Sequence, residues 1–159
     1  MATAFTAKQI HGGGAPGTYG APVDVHKWTG VHGGQLLLMK TRIDFNALAT
    51  ATGTALAHSD TYQIFEVRAG DTVVFMGFDI ETVATGAADM DIGLTGVDTD
   101  GFIDGIEAND ASPTVVAAPF GLLSGTRFAA ADTIDVLEKS GTASLAGCVC
   151  KFWALIWRE

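Results

Sequence analysis

The chain has 159 residues, 48% of them hydrophobic and 17% charged, which suits one globular domain and excludes the polar composition of a disordered chain. Its formal net charge is −9, and no Lys or Arg lies between Arg68 and Arg127. Because nucleic-acid binding relies on basic side chains that displace counterions from phosphates, the charge argues against a nucleic-acid binder and against attraction to anionic lipid.

No stretch of the sequence has the pattern of a membrane span or a secretory leader. Apolar runs are far shorter than the roughly 18 residues that a membrane helix needs. The first ten residues, "MATAFTAKQI", contain no basic region followed by an apolar core. We therefore expect no membrane partner, and we expect synthesis and folding in a cytoplasm.

Residues 1–34 hold a dense run of glycine and proline, "HGGGAPGTYGAP". Such a run cannot sustain a helix or a central strand, so it predicts an extended N-terminal arm. Tyr19 and Trp28 lie in this segment. Aromatic side chains on an extended segment often dock onto protein, which makes both residues candidates for an interface with the chain's own domain or with a neighbour.

From residue 35 the pattern changes to alternation. The segment "QLLLMKTRIDF" places apolar residues and one threonine on one face and polar residues on the other, which predicts a half-buried strand. Residues 46–60 are rich in Ala and Thr with a central Gly53; they could form a helical turn or a long loop, and we favour a loop. Residues 62–83 contain two strand-like runs separated by a tight turn at Ala69-Gly70-Asp71.

The remaining strands follow the same period of two. Residues 89–97 alternate, residues 114–120 form a short apolar run, and residues 132–159 predict two strands separated by a turn. The closing strand is apolar on both faces, which predicts a central position in a sheet or contact with another subunit. Trp153 and Trp157 share one face of it, and both core packing and an oligomer interface remain open for them.

Many short strands with Gly-, Asp- and Thr-rich turns predict an all-β sandwich or barrel over residues 35–159, as one domain. Cys148 and Cys150 form a Cys-x-Cys inside an apolar run, and if that run is a strand both side chains point to one face. Such neighbours lie too far apart along one strand for relaxed disulfide geometry, and no further Cys or His lies near enough to complete a zinc site. Buried free thiols are the expected outcome.

An acidic segment, "GVDTDGFIDGIEAND" at residues 96–110, is a candidate metal site. With Gly101 at position 6 of a calcium-binding helix-loop-helix loop, the oxygen-bearing positions fall on Asp98, Asp100, Asp104 and Glu107. Position 1 is Gly96 and the flanks are not helical, which excludes that motif but leaves a calcium-holding β-loop. The favoured alternative is a solvated turn in which Asp and Asn side chains cap their own backbone.

No catalytic residues are predicted, and no cofactor other than that calcium ion. The histidines are irregularly spaced and mostly lie in the Gly-rich segment; they are His11, His26, His32 and His58. The succession His58-Ser59-Asp60 is no argument for a nucleophilic triad, because triads assemble in space from separate elements. No nucleophile elbow, phosphate loop or zinc-protease motif is present, so an enzyme is the least supported class.

Residues 60–105 resemble a segment of structural proteins from tailed bacteriophage particles. The resemblance lies in a strand that ends at Ala69-Gly70, in Asp91-Ile92-Gly93, and in the "DTDGF" run at 98–102. It implies a virion protein at the capsid surface, most like a head decoration or cement protein that binds the major capsid protein. Such proteins are typically small β-sandwich or jelly-roll modules, often homotrimeric, and several grip neighbouring subunits with an extended arm.

Two alternatives remain beside this hypothesis. One is a calcium-dependent carbohydrate- or ligand-binding β-sandwich module that uses the loop at 98–107. The other is a tail or fibre component of the virion.

Overall fold

The structure, a computed structural model, describes residues 4–5, 24–29, 34–94, 96–110, 116–118, 125–141 and 144–159. Within these ranges the chain forms ten strands and one α-helix. In chain order they are β1 (Ala4–Phe5), β2 (Asp24–Thr29), β3 (Gln35–Asp44), α1 (Phe45–Thr52), β4 (Thr61–Val67), β5 (Thr72–Thr82), β6 (Ala88–Leu94), β7 (Asp98–Glu107), β8 (Val116–Ala118), β9 (Asp132–Gly141) and β10 (Val149–Arg158). The described helix has eight residues, too few and too polar to cross a membrane.

The strands form two five-stranded sheets, in the orders β1-β4-β9-β6-β7 and β2-β3-β10-β5-β8. We call the second one the β10 sheet. Strand pairs are nested along the chain, because β3 pairs with β10, β4 with β9, β5 with β8 and β6 with β7, all antiparallel. This is the order of a jelly roll, in which a long hairpin is rolled into two facing sheets. The predicted antiparallel, jelly-roll-like β-sandwich is confirmed; β1, which pairs with β4 in parallel, departs from it.

The core lies between the two sheets and is built from the inward residues of each strand. The expected inward face of β3 is confirmed, with Leu37 and Ile43 each 1% exposed. β10 lies between β3 and β5, which confirms the predicted central position of the closing strand. Cys148 and Cys150 are buried and free, as expected, with their sulfur atoms 3.3 Å apart.

The interpretation of residues 46–60 as a loop is wrong for its first part, since α1 covers residues 45–52. The Asp44 side chain caps the helix by accepting a hydrogen bond from the Ala47 amide at 3.0 Å. Gly53 ends it with φ of 64°, a left-handed conformation that glycine adopts without strain. Phe45 and Leu48, one turn apart, are fully buried and anchor the helix to the core.

The interpretation of the acidic segment as a solvated turn is also wrong, because most of it is strand β7. Phe102, Ile103 and Ile106 are buried and hold the strand on the core. The carboxylates interleaved with them remain at the surface of this outermost strand, which explains why so acidic a segment can extend a sheet. Only the residues that flank the strand lie outside it, a turn at 96–97 before β7 and residues 108–110 after it.

The predicted N-terminal arm falls partly outside the described residues, and so do Tyr19, His11 and His32. Within residues 1–34 the structure places β1 and β2, each at the edge of a sheet. β2 pairs with β3 along its whole length, from Asp24 opposite Lys40 to Thr29 opposite Gln35. The arm remains a prediction, with β2 as its attachment to the sandwich.

Candidate functional site

The outer face of the β10 sheet carries a continuous band of apolar side chains, which we call the aromatic face. Side chains alternate between the two faces of a strand, so the neighbours of the buried core residues point outward here. The exposed fraction is 52% for Trp28 and 37% for Trp157. The members of the aromatic face are Trp28, Leu36, Leu38, Phe75, Trp153, Leu155 and Trp157.

The strand register makes the band continuous from one edge of the sheet toward the other. Trp28 lies opposite Leu36, and Leu36 lies opposite Trp157. The next row runs from Leu38 through Leu155 to Phe75. Directly opposed side chains in a sheet are in contact range, so these rows form one surface and not a set of isolated residues.

Two glycines let tryptophan rings lie flat against this surface. A Cβ atom at Gly77 would lie 2.4 Å from Nε1 of Trp153, and one at Gly34 would lie 1.9 Å from Cζ2 of Trp157. Each ring therefore covers a glycine backbone. A larger residue at either glycine would displace a tryptophan ring of the aromatic face.

An open groove of about 530 Å³ adjoins the aromatic face, and the charged residues that line it are all basic. We call it the basic groove; it is lined by Leu38, Lys40, Arg42, Lys151 and Trp153, among others. Glu81, beside the groove, forms ion pairs with both Arg42 and Lys151. The hydrogen bonds from Lys151 and Arg42 lower the pKa of the Glu81 carboxyl.

Lys40 differs from the other two cations of the basic groove. Within the described part of the chain it makes no ion pair, and its side chain is exposed. In the strand register Asp79 lies opposite Lys151, and Asp24 on β2 lies opposite Lys40. Because Lys40 forms no ion pair among the described residues and is exposed, it presents a positive charge to solvent.

The four candidate calcium ligands are not brought together. Asp104 forms an ion pair with Lys139 at 2.6 Å, and the hydrogen bond from Lys139 lowers the pKa of Asp104. Asp98 and Asp100 lie side by side, and the hydrogen bond between them raises the pKa of Asp98. Glu107 ends β7, in register with Asp89 on β6.

Across the described ranges, no group of three or more His, Cys, Asp or Glu side chains has the geometry to hold a metal ion. Calcium binding by β7 therefore stays a prediction.

The three adjacent residues His58, Ser59 and Asp60 do not form a catalytic group, because they lie in different environments. His58 is exposed, whereas Asp60 is buried and accepts a hydrogen bond from the Ala57 amide at 2.7 Å.

A buried acidic cluster lies between the sheets, where Asp60, Tyr62 and Glu138 are all 0% exposed. The Tyr62 hydroxyl lies 3.4 Å from Oε2 of Glu138 and donates a long hydrogen bond to it. Burial, reinforced by the charge of Asp60, raises the pKa of Glu138 to about 7. Because the cluster is closed to solvent, it bears on stability and not on recognition of a substrate.

Sequence reasoning found the tryptophans of this site but missed most of its other members. Leu36 and Leu38 alternate with the buried residues of β3 in the same way as Lys40 and Arg42 do. Strict alternation could therefore have assigned both leucines to the outer face. Phe75 could not be found this way, because a β-bulge between Val73 and Phe75 shifts the register.

No protein-family model and no curated protein matches the chain. Solved structures do match its fold. A chain from the capsid of Ralstonia phage GP4 aligns with a TM-score of 0.60 and 14% identity, covering 100% of this chain and 99% of that one. A chain from the cyanophage Pam1 capsid asymmetric unit gives a TM-score of 0.58 and 15% identity, over 91% and 100% of the two chains.

A chain from the acidic stable capsid structure of Helicobacter pylori bacteriophage KHP30 aligns with a TM-score of 0.54 and 13% identity, over 84% of this chain and 93% of that one. These likenesses show a shared fold. The alignments span 84% to 100% of this chain and 93% to 100% of the others, more than one sheet alone could supply.

Proposed function

We propose that this chain is a structural protein of a phage virion, a head decoration or cement protein that binds the outside of the capsid and stabilises the shell. The observation that carries the proposal is the fold shared, over 84% to 100% of the chain, with chains from three phage capsid structures. The role is mechanical, and it requires no catalysis and no cofactor.

The aromatic face supports this proposal independently of the comparisons. Exposed tryptophan on a contiguous apolar band is typical of protein interfaces, in which Trp is enriched and contributes a large share of the binding energy. Trp28 lies on the edge strand β2, which follows the N-terminal segment in the chain, and it shares a row with Leu36 and Trp157. A capsid-binding arm and an apolar contact would act together on this side of the sheet.

The stabilising effect follows from mass action. A protein that binds the assembled lattice and not the free capsid subunit shifts the equilibrium toward the lattice. A homotrimer with three contacts adds avidity, because the second and third contacts form at high effective concentration. The net charge of −9 keeps such a particle dispersed and repels released DNA.

Cosedimentation with purified capsids that lack this protein tests the proposal. We expect saturable binding by the full chain. Replacing both Trp28 and Trp157 by Ala should weaken binding by at least about tenfold, since an anchoring tryptophan contributes roughly 2 kcal/mol or more. Val83→Ala is the matched control, because Val83 is 36% exposed and lies outside the aromatic face.

Truncation tests the arm, and it should stop at residue 23 because β2 pairs with β3 from Asp24 onward. A chain that begins at residue 24 should bind capsids more weakly than the full chain. Equal saturation by both chains would refute a role for the arm. Binding to purified tails and not to capsids would reject the decoration role in favour of a tail component.

Shell stability is the direct readout of the cement role. Capsids saturated with the protein should disassemble at a higher temperature than bare capsids, as followed by light scattering during heating. Unchanged disassembly at full occupancy would show a protein that coats the shell without reinforcing it.

A further inference from the structure

The turn before β7 presents an exposed apolar side chain beside two carboxylates. Val97 is 71% exposed, the largest exposure among the large hydrophobic residues that the structure describes. Asp98 and Asp100 follow it directly. We call Val97, Asp98 and Asp100 the acidic tip.

The carboxylates of the acidic tip lack compensation within the described residues, where no Lys or Arg forms an ion pair with either of them. Their mutual contact raises the pKa of Asp98, as expected for like charges held together. Asp104, further along the same strand, has Lys139 as its partner. The tip is therefore the part of β7 where a cation from outside would relieve repulsion.

The basic groove has the complementary character. It combines apolar walls, Leu38 and Trp153, with the cations Lys40, Arg42 and Lys151, in a chain with twice as many acids as bases. Its volume of about 530 Å³ exceeds what a valine side chain and its neighbours require. An apolar residue flanked by carboxylates matches both features of this groove.

One molecule cannot bring the two features together. The acidic tip leads into the outermost strand of the β1-β4-β9-β6-β7 sheet, whereas the basic groove opens on the outer face of the β10 sheet. The two sheets face each other across the core, so their outer surfaces point apart. A contact between tip and groove must join two copies.

We propose that the acidic tip of one copy docks in the basic groove of a second copy, with Val97 against Leu38 and Trp153 and the carboxylates of Asp98 and Asp100 facing Lys40. Because the two surfaces differ, the contact is head-to-tail, and a set of such contacts forms a ring when the rotation between neighbouring copies closes. The inference deepens the trimer of the proposed function and rests on it, since it names the surfaces that would hold that trimer together.

Mass measurement by analytical ultracentrifugation of the full chain tests the contact. Lys40→Glu in the groove and Val97→Asp in the tip should each reduce self-association by at least tenfold. Matched controls are Glu66→Lys, a charge reversal on the exposed side of β4, and Val83→Asp, an equivalent change at another exposed valine. Both controls should associate as the unaltered chain does.

Mixing the two variants gives the sharpest outcome. The groove of a Val97→Asp chain and the tip of a Lys40→Glu chain are both intact, so one contact can form between them. We expect a two-chain species that neither variant forms alone, and no closed ring. A contact between two identical faces would not be restored by mixing.

Zero-length carbodiimide cross-linking locates the contact, because it joins only amines and carboxylates that touch. In a mixture of ¹⁴N- and ¹⁵N-labelled chains we expect mixed-isotope cross-links from Lys40 to Asp98 or Asp100. An oligomer without these cross-links, or a chain that is monomeric at all concentrations, overturns the inference. The proposed function survives that result if the same chain still saturates capsids, and it fails separately if a ring forms but no capsid is bound.

Discussion

Single glycine positions shape the aromatic face. That Trp153 and Trp157 share one face was predictable, because strand alternation depends only on the sequence. That Trp153 lies over Gly77 was not predictable, because it depends on the register between β10 and β5, which are separated by half of the chain. The need for glycine at position 77 is apparent only once Trp153 is known to lie over it.

We predict that Gly77→Ala destabilises the protein by about 1 to 3 kcal/mol, the usual cost of inserting a methyl group into a packed site. The new Cβ would lie 2.4 Å from Nε1 of Trp153, so the ring must move. Denaturant unfolding monitored by tryptophan fluorescence measures the change. In a Trp153→Ala background the same substitution should cost much less, and a fully additive double mutant would contradict the pairing.

The buried Glu138 predicts a pH-dependent stability. Its pKa of about 7 in the folded state lies above its ordinary value of 4.5. Its contribution to the free energy of unfolding is therefore fully present below pH 4.5 and is lost as the pH rises through 7. The loss is roughly 3 kcal/mol, since one pKa unit corresponds to about 1.4 kcal/mol. Glu138→Gln should abolish it and stabilise the protein at pH 8.

Urea unfolding of both proteins between pH 5 and 8 measures this effect. Glu66→Gln, which removes an equal charge from an exposed position, should leave the pH dependence as it is in the unaltered chain. If Glu138→Gln shows the same decline in stability toward high pH, then another group is responsible.

At the scale of the element, the strands were easier to predict from the sequence than the segments that connect them. Period-two alternation correctly predicted β3, and the apolar closing segment correctly predicted a central β10. A loop was favoured over a helical turn at α1 because eight residues rich in Ala and Thr have no clear helical period. Its capping residue, Asp44, belongs to the preceding strand, so the boundary of the strand conceals the start of the helix.

The cap gives a prediction for α1. Asp44→Ala should destabilise the protein by about 1 kcal/mol, because the Ala47 amide loses the oxygen that it contacts at 3.0 Å. Asp44→Asn keeps an oxygen acceptor at the N-cap and should retain most of the stability. Thermal unfolding of the three proteins distinguishes the lost cap from a lost charge, which would affect both variants equally.

Strand β7 shows why an acidic segment misleads. Its carboxylates suggested a turn or a calcium loop, and its three buried apolar residues, Phe102, Ile103 and Ile106, were the better signal. They do not follow strict alternation, because β-bulges interrupt the pairing of β7 with β6. A pattern method that requires regular spacing cannot detect such a strand.

At the scale of the whole molecule, the class of fold was accessible from local patterns but the strand order was not. Short strands with Gly- and Asp-rich turns indicate a sandwich or barrel. The nested order rests on pairings such as β3 with β10, which join residues 35–44 to residues 149–158. The basic groove is likewise built across that pairing, which explains why its cations could not be grouped in advance.

The charges of the whole molecule predict how its self-association depends on salt. The proposed contact between copies sets exposed carboxylates against exposed cations, so the association constant should fall as the salt concentration rises. Sedimentation at a series of NaCl concentrations measures the slope. Association that strengthens with salt would indicate a purely apolar contact and would argue against the pairing of tip and groove.

The central position of β10 has a consequence for the timing of folding during synthesis. β3 pairs with β2 and β5 pairs with β8, but neither has its second neighbour until residues 149–158 have been translated, because β10 fills the gap between them. A nascent chain on the ribosome therefore holds two open strand edges and an incomplete aromatic face until translation has passed this strand. The outer surface of the β10 sheet is therefore completed in one late step of synthesis.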